Sequence, residues 1–216
     1  MPKYPTRPQD WKEFQIESSS DELLIGNWQV MQEWERPLMR ALATNVAGAG
    51  KAILEVGFGM GICAEEIWRI GCSHYTVIEA HPVIAEQARN WLSSTNRSGV
   101  VIEGFWEEVI ECLPHFSFDG IVFDTYPLNE SERGCNHFSF IPKAKYFLTQ
   151  NGSLTYYSDE TKKFRTEHLQ LLLANYEYVR LNCVSGLAPP ETCEYWNNDH
   201  MIIPTVSKPM FNDEKG

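Results

Sequence analysis

Positive charge is scarce in this chain: 18 lysines and arginines stand against 29 aspartates and glutamates, a formal net charge of −11. A nucleic-acid partner needs a basic footprint for its phosphates, so this balance argues against one. It suits a cationic or neutral small substrate instead. Long hydrophobic runs are missing too, and the opening "MPKYPTRPQDW" has no apolar core. Neither membrane insertion nor secretion is therefore indicated. The six cysteines (Cys63, Cys72, Cys112, Cys135, Cys183 and Cys193) form no C-x-x-C pair and no zinc-like spacing with histidine. No metal site is expected, and scattered thiols of this kind point to a reducing, cytoplasmic setting. There is no internal repeat and no low-complexity block.

What the chain does have is an ordinary globular make-up, 43% hydrophobic and 22% charged over 216 residues, enough for one well-buried domain. Short apolar runs alternate with helical patterns. The runs are "AILEV" (Ala52 to Val56), "YTVIEA" (Tyr75 to Ala80), "VVIEG" (Val100 to Gly104), "FDGIVFD" (Phe118 to Asp124) and "SLTYYS" (Ser153 to Ser158). "YVRLNCV" (Tyr178 to Val184) and "MIIPTVSK" (Met201 to Lys208) follow without a clear helix between them. Between the earlier runs lie stretches such as "PVIAEQARNWLSS", which opens on Pro82 and repeats its apolar residues at helical spacing. The alternation predicts an α/β fold: a doubly wound, Rossmann-like sheet of seven mostly parallel strands, closed by a hairpin with one antiparallel strand. "DELLIGNWQVMQEWERPLMRALATNVA" reads as a helix-rich N-terminal cap interrupted at Pro37. Before it, a polar, proline-containing arm reads as mobile, and "KPMFNDEKG" reads as a disordered tail. One domain results: residues 1–50 as arm and cap, 51–208 as core, 209–216 as tail.

Gly57, Gly59 and Gly61 follow the first predicted strand directly, at the edge where open parallel sheets bind ligands. Glycine permits a sharp turn and lets a ligand approach the backbone. Ile62 stands where the dinucleotide fingerprint wants its third glycine, so the pattern is E-x-G-x-G-x-G with Glu55 in front. Glu79 closes the second strand about twenty residues on, where a carboxylate can accept both hydroxyls of an adenosine ribose.

The glycine turn with Glu79 resembles the first motif and acidic partner of class I S-adenosylmethionine-dependent methyltransferases. "MQEWERPLMRALA", "LEVGFGMGI", "GFWEEV", "FDGIVFDTYPL" and "LTYY" narrow the resemblance to the guanidinoacetate N-methyltransferases. It runs from about Val30 to Tyr157 and resumes in "MIIPTVSK". It implies S-adenosylmethionine as methyl donor, leaving as S-adenosylhomocysteine. Phe58, Gly59, Met60, Gly61, Ile62 and Cys63 would wrap the methionine portion; Glu79, Ala80 and His81 would meet the ribose and adenine. Trp106 and Glu107 would hold the adenine edge, while Trp11, Met31 and Met39 would close over it from the cap. The resemblance places Asp124 between cofactor and acceptor and makes Glu35 a second carboxylate on the guanidino group.

The chemistry suits that assignment. A guanidinium stays protonated near neutral pH, so its nitrogens are poor nucleophiles. Carboxylates in fork geometry would orient it and offset its charge, and one can take the departing proton. Thr125 and Tyr126 line the pocket in this reading, although "TYP" also reads as a turn before Pro127. Past Tyr157 the resemblance weakens. Where the family receives its substrate's carboxylate, this chain reads "SDETKKF", with Ser158, Asp159 and Glu160 at the position. Two acids would repel a carboxylate unless Lys162, Lys163 or Arg165 intervened. The expected acceptor is a small guanidine or amine: guanidinoacetate itself, a related compound with an ammonium or no carboxylate at that end, or arginine, free or protein-bound. The oligomeric state is open, and a homodimer is compatible with the sequence.

Overall fold

The protein was analysed as a computed structural model describing residues 4–94 and 98–211. Residues 1–3 of the expected arm and 212–216 of the expected tail lie outside the described residues.

The expected sheet is present. Its strands are β4 (Ala52–Val56), β5 (His74–Glu79), β6 (Gly99–Glu103), β7 (Phe118–Phe123), β8 (Leu148–Tyr156), β9 (Tyr176–Ser185) and β10 (His200–Pro209), in the order β6-β5-β4-β7-β8-β10-β9. β4, β5, β6, β7 and β8 pair in parallel, whereas β10 runs antiparallel to both β8 and β9. β4 and β7 are adjacent, and the chain departs from them in opposite directions. That is the switch point where a crevice opens beyond the strands' carboxyl ends.

β4 is buried from Ile53 to Val56 because both faces are covered, with Glu55 its one polar residue. Ile53 joins a core with α1 (Arg36–Val46), α2 (Ile62–Ile70) and α3 (Pro82–Ser94), while Leu54 and Val56 pack on the opposite side with α5 (His137–Ala144) and α6 (Thr166–Asn175). The short α4 (Trp106–Val109) follows β6 at the crevice edge.

The cap departs from its predicted helical form. Only α1 of the stretch is α-helical; residues before it form a three-stranded antiparallel sheet, β1 (Ile16–Ser18), β2 (Glu22–Ile25) and β3 (Trp28–Gln32). The cause is the two-residue turn Gly26-Asn27, both with positive φ (54° and 71°), which suits a tight hairpin and no helix. The polar opening is packed as well. Pro8–Glu13 forms a 3-10 turn that buries Trp11 to 4% exposure.

Candidate active site

The crevice begins at the turn after β4. Gly57 has φ 93°, and a Cβ there would sit 2.0 Å from the Asp124 carbonyl oxygen, so only glycine lets the ends of β4 and β7 close together. Glu79, at the end of β5, holds the turn from the other side. Its carboxylate accepts hydrogen bonds from the backbone N–H of Phe58 (2.9 Å) and His81 (2.8 Å), and Gly59 and Ala80 also donate to it. Burial still pushes its pKa up. Met31 reaches in from β3, its Sδ accepting the Met60 N–H at 3.3 Å.

Over these elements lies a cavity of about 410 Å³, in the range of small-molecule sites. Gly57, Gly59, Glu79 and Ala80 line one part, with Phe105, Trp106 and Glu107 beside them. Burial raises the Glu107 pKa, and Trp106 is held edge-on by Phe123 and Phe140. Trp11 stacks on Tyr126 with centroids 5.7 Å apart, and Trp28 tilts against Tyr126 at 5.8 Å; all three line the cavity.

A different part is lined by Glu35, Asp124 and Asp159. Glu35 is buried between β3 and α1; its Oε1 accepts from the Tyr195 hydroxyl at 2.6 Å and from the Gln32 N–H at 2.9 Å. Burial first, then the nearby Asp124 charge, push its pKa up to about 8. Asp124 follows β7 and is fixed by its backbone N–H to Val56 (2.9 Å), but its carboxylate accepts no hydrogen bond among the described residues. Burial and then Asp159 push it up to about 7. Asp159 is exposed to solvent on the cavity wall; desolvation by the protein around it raises its pKa to about 6, against the pull of Arg165. No ion pair reaches any of the three among the described residues. Carboxylates gathered in this way suit a planar, multiply donating cation.

Comparison with known proteins decides the family. The family described as guanidinoacetate N-methyltransferase matches residues 7–209. The chain belongs to the guanidinoacetate N-methyltransferase family. The family's description names methyl transfer to guanidinoacetate, and such membership implies S-adenosylmethionine as donor. Among curated relatives it is similar to protein arginine N-methyltransferase 2 of Emericella nidulans, 38% identical over 103 residues, 45% of this chain and 24% of that protein. The Candida glabrata protein of the same name is 28% identical over 130 residues, 55% of this chain and 31% of its own. The chain thus spans about a quarter to a third of the length of these relatives. Among solved structures, spermidine synthase from Thermotoga maritima superposes with a TM-score of 0.64 at 14% identity (90% of this chain, 72% of that one). A precorrin-6y C5,15-methyltransferase from Geobacter metallireducens gives 0.58 at 16% identity (95% and 100%). At such identities the likeness shows the fold alone.

Of the residues the family pattern singles out, Trp11, Met31, Glu35, Gly57, Gly59, Glu79, Ala80, Trp106, Glu107, Asp124, Thr125, Tyr126 and Asp159 come together around the cavity. Others do not line it. Glu55 is buried beneath the turn, accepting the Tyr75 hydroxyl at 2.7 Å, with its pKa raised to about 8 by burial. Phe58, Ile62, Cys63 and Met39 pack in the core, and Gly61 (φ 77°) opens α2 under the Phe58 ring. Met60 presents its N–H to Met31. His81 is no base: Nδ1 accepts the Val83 N–H at 3.3 Å, which leaves Nε2 to donate to the Phe14 carbonyl at 3.0 Å. Ser158 and Glu160 turn away. Ser158 donates to the Ile202 carbonyl at 2.5 Å, and Glu160 binds Arg165 Nε at 2.6 Å and His168 Nδ1 at 2.9 Å. Tyr195, in the loop between β9 and β10, escaped sequence reading because no local pattern marks it; only the fold brings it to Glu35.

Proposed function

We propose that this chain transfers a methyl group from S-adenosylmethionine to a guanidine nitrogen of a small acceptor, with Asp124 and Glu35 gripping the guanidinium. The supporting observation is the carboxylate pair itself: two acids lining one cavity, both raised in pKa, with no cation paired to either among the described residues. Buried charges normally have partners, so the natural partner of this pair is the ligand.

The residues present suit the donor. Gly57 and Gly59 leave backbone uncovered at the cavity wall, Glu79 stands at the ribose position expected for this fold, and Trp106 and Glu107 offer a ring and an acceptor for adenine. When bound, S-adenosylmethionine supplies a methyl group activated by its sulfonium charge. The protein's part is then alignment and proton management. Asp124 and Glu35 accept N–H bonds from the guanidinium and hold its plane, while the Tyr195 hydroxyl and Gln32 N–H keep Glu35 in one orientation. A guanidinium that gains a methyl must release one proton. Asp124, with a pKa near neutral and no other hydrogen bond to satisfy, takes it. Trp11 and Tyr126, stacked on each other in the cavity wall, would limit water at the reacting nitrogen.

The test is mass spectrometry of purified protein with S-adenosylmethionine and separate acceptors: guanidinoacetate, arginine, simple amines and an arginine-containing peptide. Gain of one methyl on a guanidine is expected. Transfer to simple amines alone, or to no acceptor, would contradict the reading.

A further inference from the structure

Resting on that reading, a third carboxylate narrows the acceptor. In the loop after β8, Tyr157 and Asp159 line the cavity, while Ser158 and Glu160 are buried behind it. The rear pair is locked. Ser158 Oγ accepts the Glu160 N–H at 3.1 Å, the Glu160 carbonyl accepts the Ile202 N–H at 2.8 Å, and the Glu160 carboxylate holds Arg165 and His168. His168 in turn meets the Tyr156 hydroxyl at 2.6 Å. Between these anchors Asp159 is held at φ 57°, a conformation uncommon for non-glycine residues. Its carboxylate is therefore aimed into the cavity by fixed neighbours, yet it accepts no hydrogen bond from the described residues. The Tyr157 hydroxyl, also on a cavity-lining residue, is buried with no hydrogen-bond partner among the described residues.

Arg165 and Arg133 oppose the rise in the Asp159 pKa, but neither forms an ion pair with it among the described residues. Arg165 is committed to Glu160 and to the Gly134 carbonyl at 2.5 Å. Arg133, the one basic side chain lining the cavity among the described residues, lies 4.0 Å from Glu130. Glu107, Glu132 and Glu194 add further negative charge to the lining, and Tyr4, Trp11, Trp28 and Tyr126 give it aromatic faces. Carboxylates and aromatic faces together favour cations, and an additional carboxylate brought by a ligand would meet like charge.

We infer that Asp159 receives a second cationic group on the acceptor, so that the substrate class is an aminoalkyl guanidine, cationic at both ends, in preference to a guanidino acid. Tyr157 and Asp159 would meet the ammonium, and Glu160 acts as a positioning residue behind them.

The experiment compares kcat/KM for agmatine, guanidinoacetate and butylguanidine (a guanidine with a neutral tail) in wild type and in Asp159→Asn. Asparagine tolerates the positive φ as aspartate does, so the variant keeps the loop. Wild type is expected to prefer agmatine over guanidinoacetate by about ten- to a hundredfold, the scale of a hydrogen bond to a charged group. Asp159→Asn should remove most of that preference, with a several-fold smaller loss on butylguanidine. A wild type that prefers guanidinoacetate would overturn the inference and leave guanidine methylation intact. An equal loss on agmatine and butylguanidine would also overturn it, by placing Asp159 on the guanidinium. If no guanidine is methylated, the parent reading fails and takes this one with it. Glu160→Gln checks the positioning role: it should erode the agmatine-to-butylguanidine ratio, which a change in folding alone would leave unmoved.

Discussion

Two acidic regions of one cavity treat their carboxylates in opposite ways. Glu79 is buried and accepts backbone N–H groups from Phe58, Gly59, Ala80 and His81. Its bonds shape the glycine turn before any ligand arrives. Asp124 and Asp159 accept nothing from the described residues, and Glu35 is only partly satisfied by Tyr195 and Gln32. The donor side is thus preorganised by internal hydrogen bonds, and the acceptor side presents carboxylates that suit a cation. A satisfied acid builds structure, whereas an unsatisfied one stores unfavourable energy that a ligand relieves.

Asp124→Asn tests the contrast where the expected effect is largest. It removes charge and proton acceptor together, so kcat/KM should fall by about 10²- to 10⁴-fold. Stability should move the other way. The Asp124 pKa is raised from 3.8 to about 7 in the folded protein, so between these values the native state holds a proton that the unfolded state has lost. Stability contributed by this group therefore falls as pH rises through that window. The variant escapes the penalty, and its Tm at pH 8 should exceed wild type by a few degrees, about 2–4 °C per kcal/mol for a domain of this size. Circular dichroism melts at pH 5 and pH 8 read this directly; a variant less stable at both would break the comparison.

Glu79→Gln probes the donor side with a smaller expected effect. An amide offers one acceptor oxygen where the carboxylate offers two, leaving buried N–H groups of the turn unpaired at about 1–3 kcal/mol. S-adenosylhomocysteine affinity should drop and Tm should fall, both measurable by calorimetry. The two variants should therefore shift Tm in opposite directions at pH 8.

Much of this was legible in the sequence, for physical reasons. Short, mostly apolar runs such as Ala52 to Val56, bounded by glycine, read as strands covered on both faces, and Gly57 is dictated by backbone contact with Asp124. The resemblance singled out Asp124 and Glu35 as the carboxylates of the acceptor, and the fold places both at one cavity. The helical reading of the cap fails because the fourfold spacing of Leu38, Leu42 and Val46 belongs to α1 alone, and the Gly26-Asn27 pair before it is a hairpin signal. Ser158 and Glu160 neighbour cavity residues in sequence, but their partners Ile202, Arg165 and His168 hold them behind it, and no local pattern shows those contacts. Tyr195 lies 160 positions from Glu35, and no local pattern reports such a contact.

The most direct measurement is proton release on filling the acceptor side. With S-adenosylhomocysteine present, butylguanidine is titrated calorimetrically at pH 7 in two buffers of different ionisation enthalpy. Glu35 and Asp124, with pKa values of about 8 and about 7, hold part of a proton each in the empty cavity. A guanidinium seated between them lowers both values, so binding should release a fraction of a proton to nearly one, with more at pH 7 than at pH 9. Binding with no proton release, or with uptake, would contradict the account of these two carboxylates as the seat of the guanidinium.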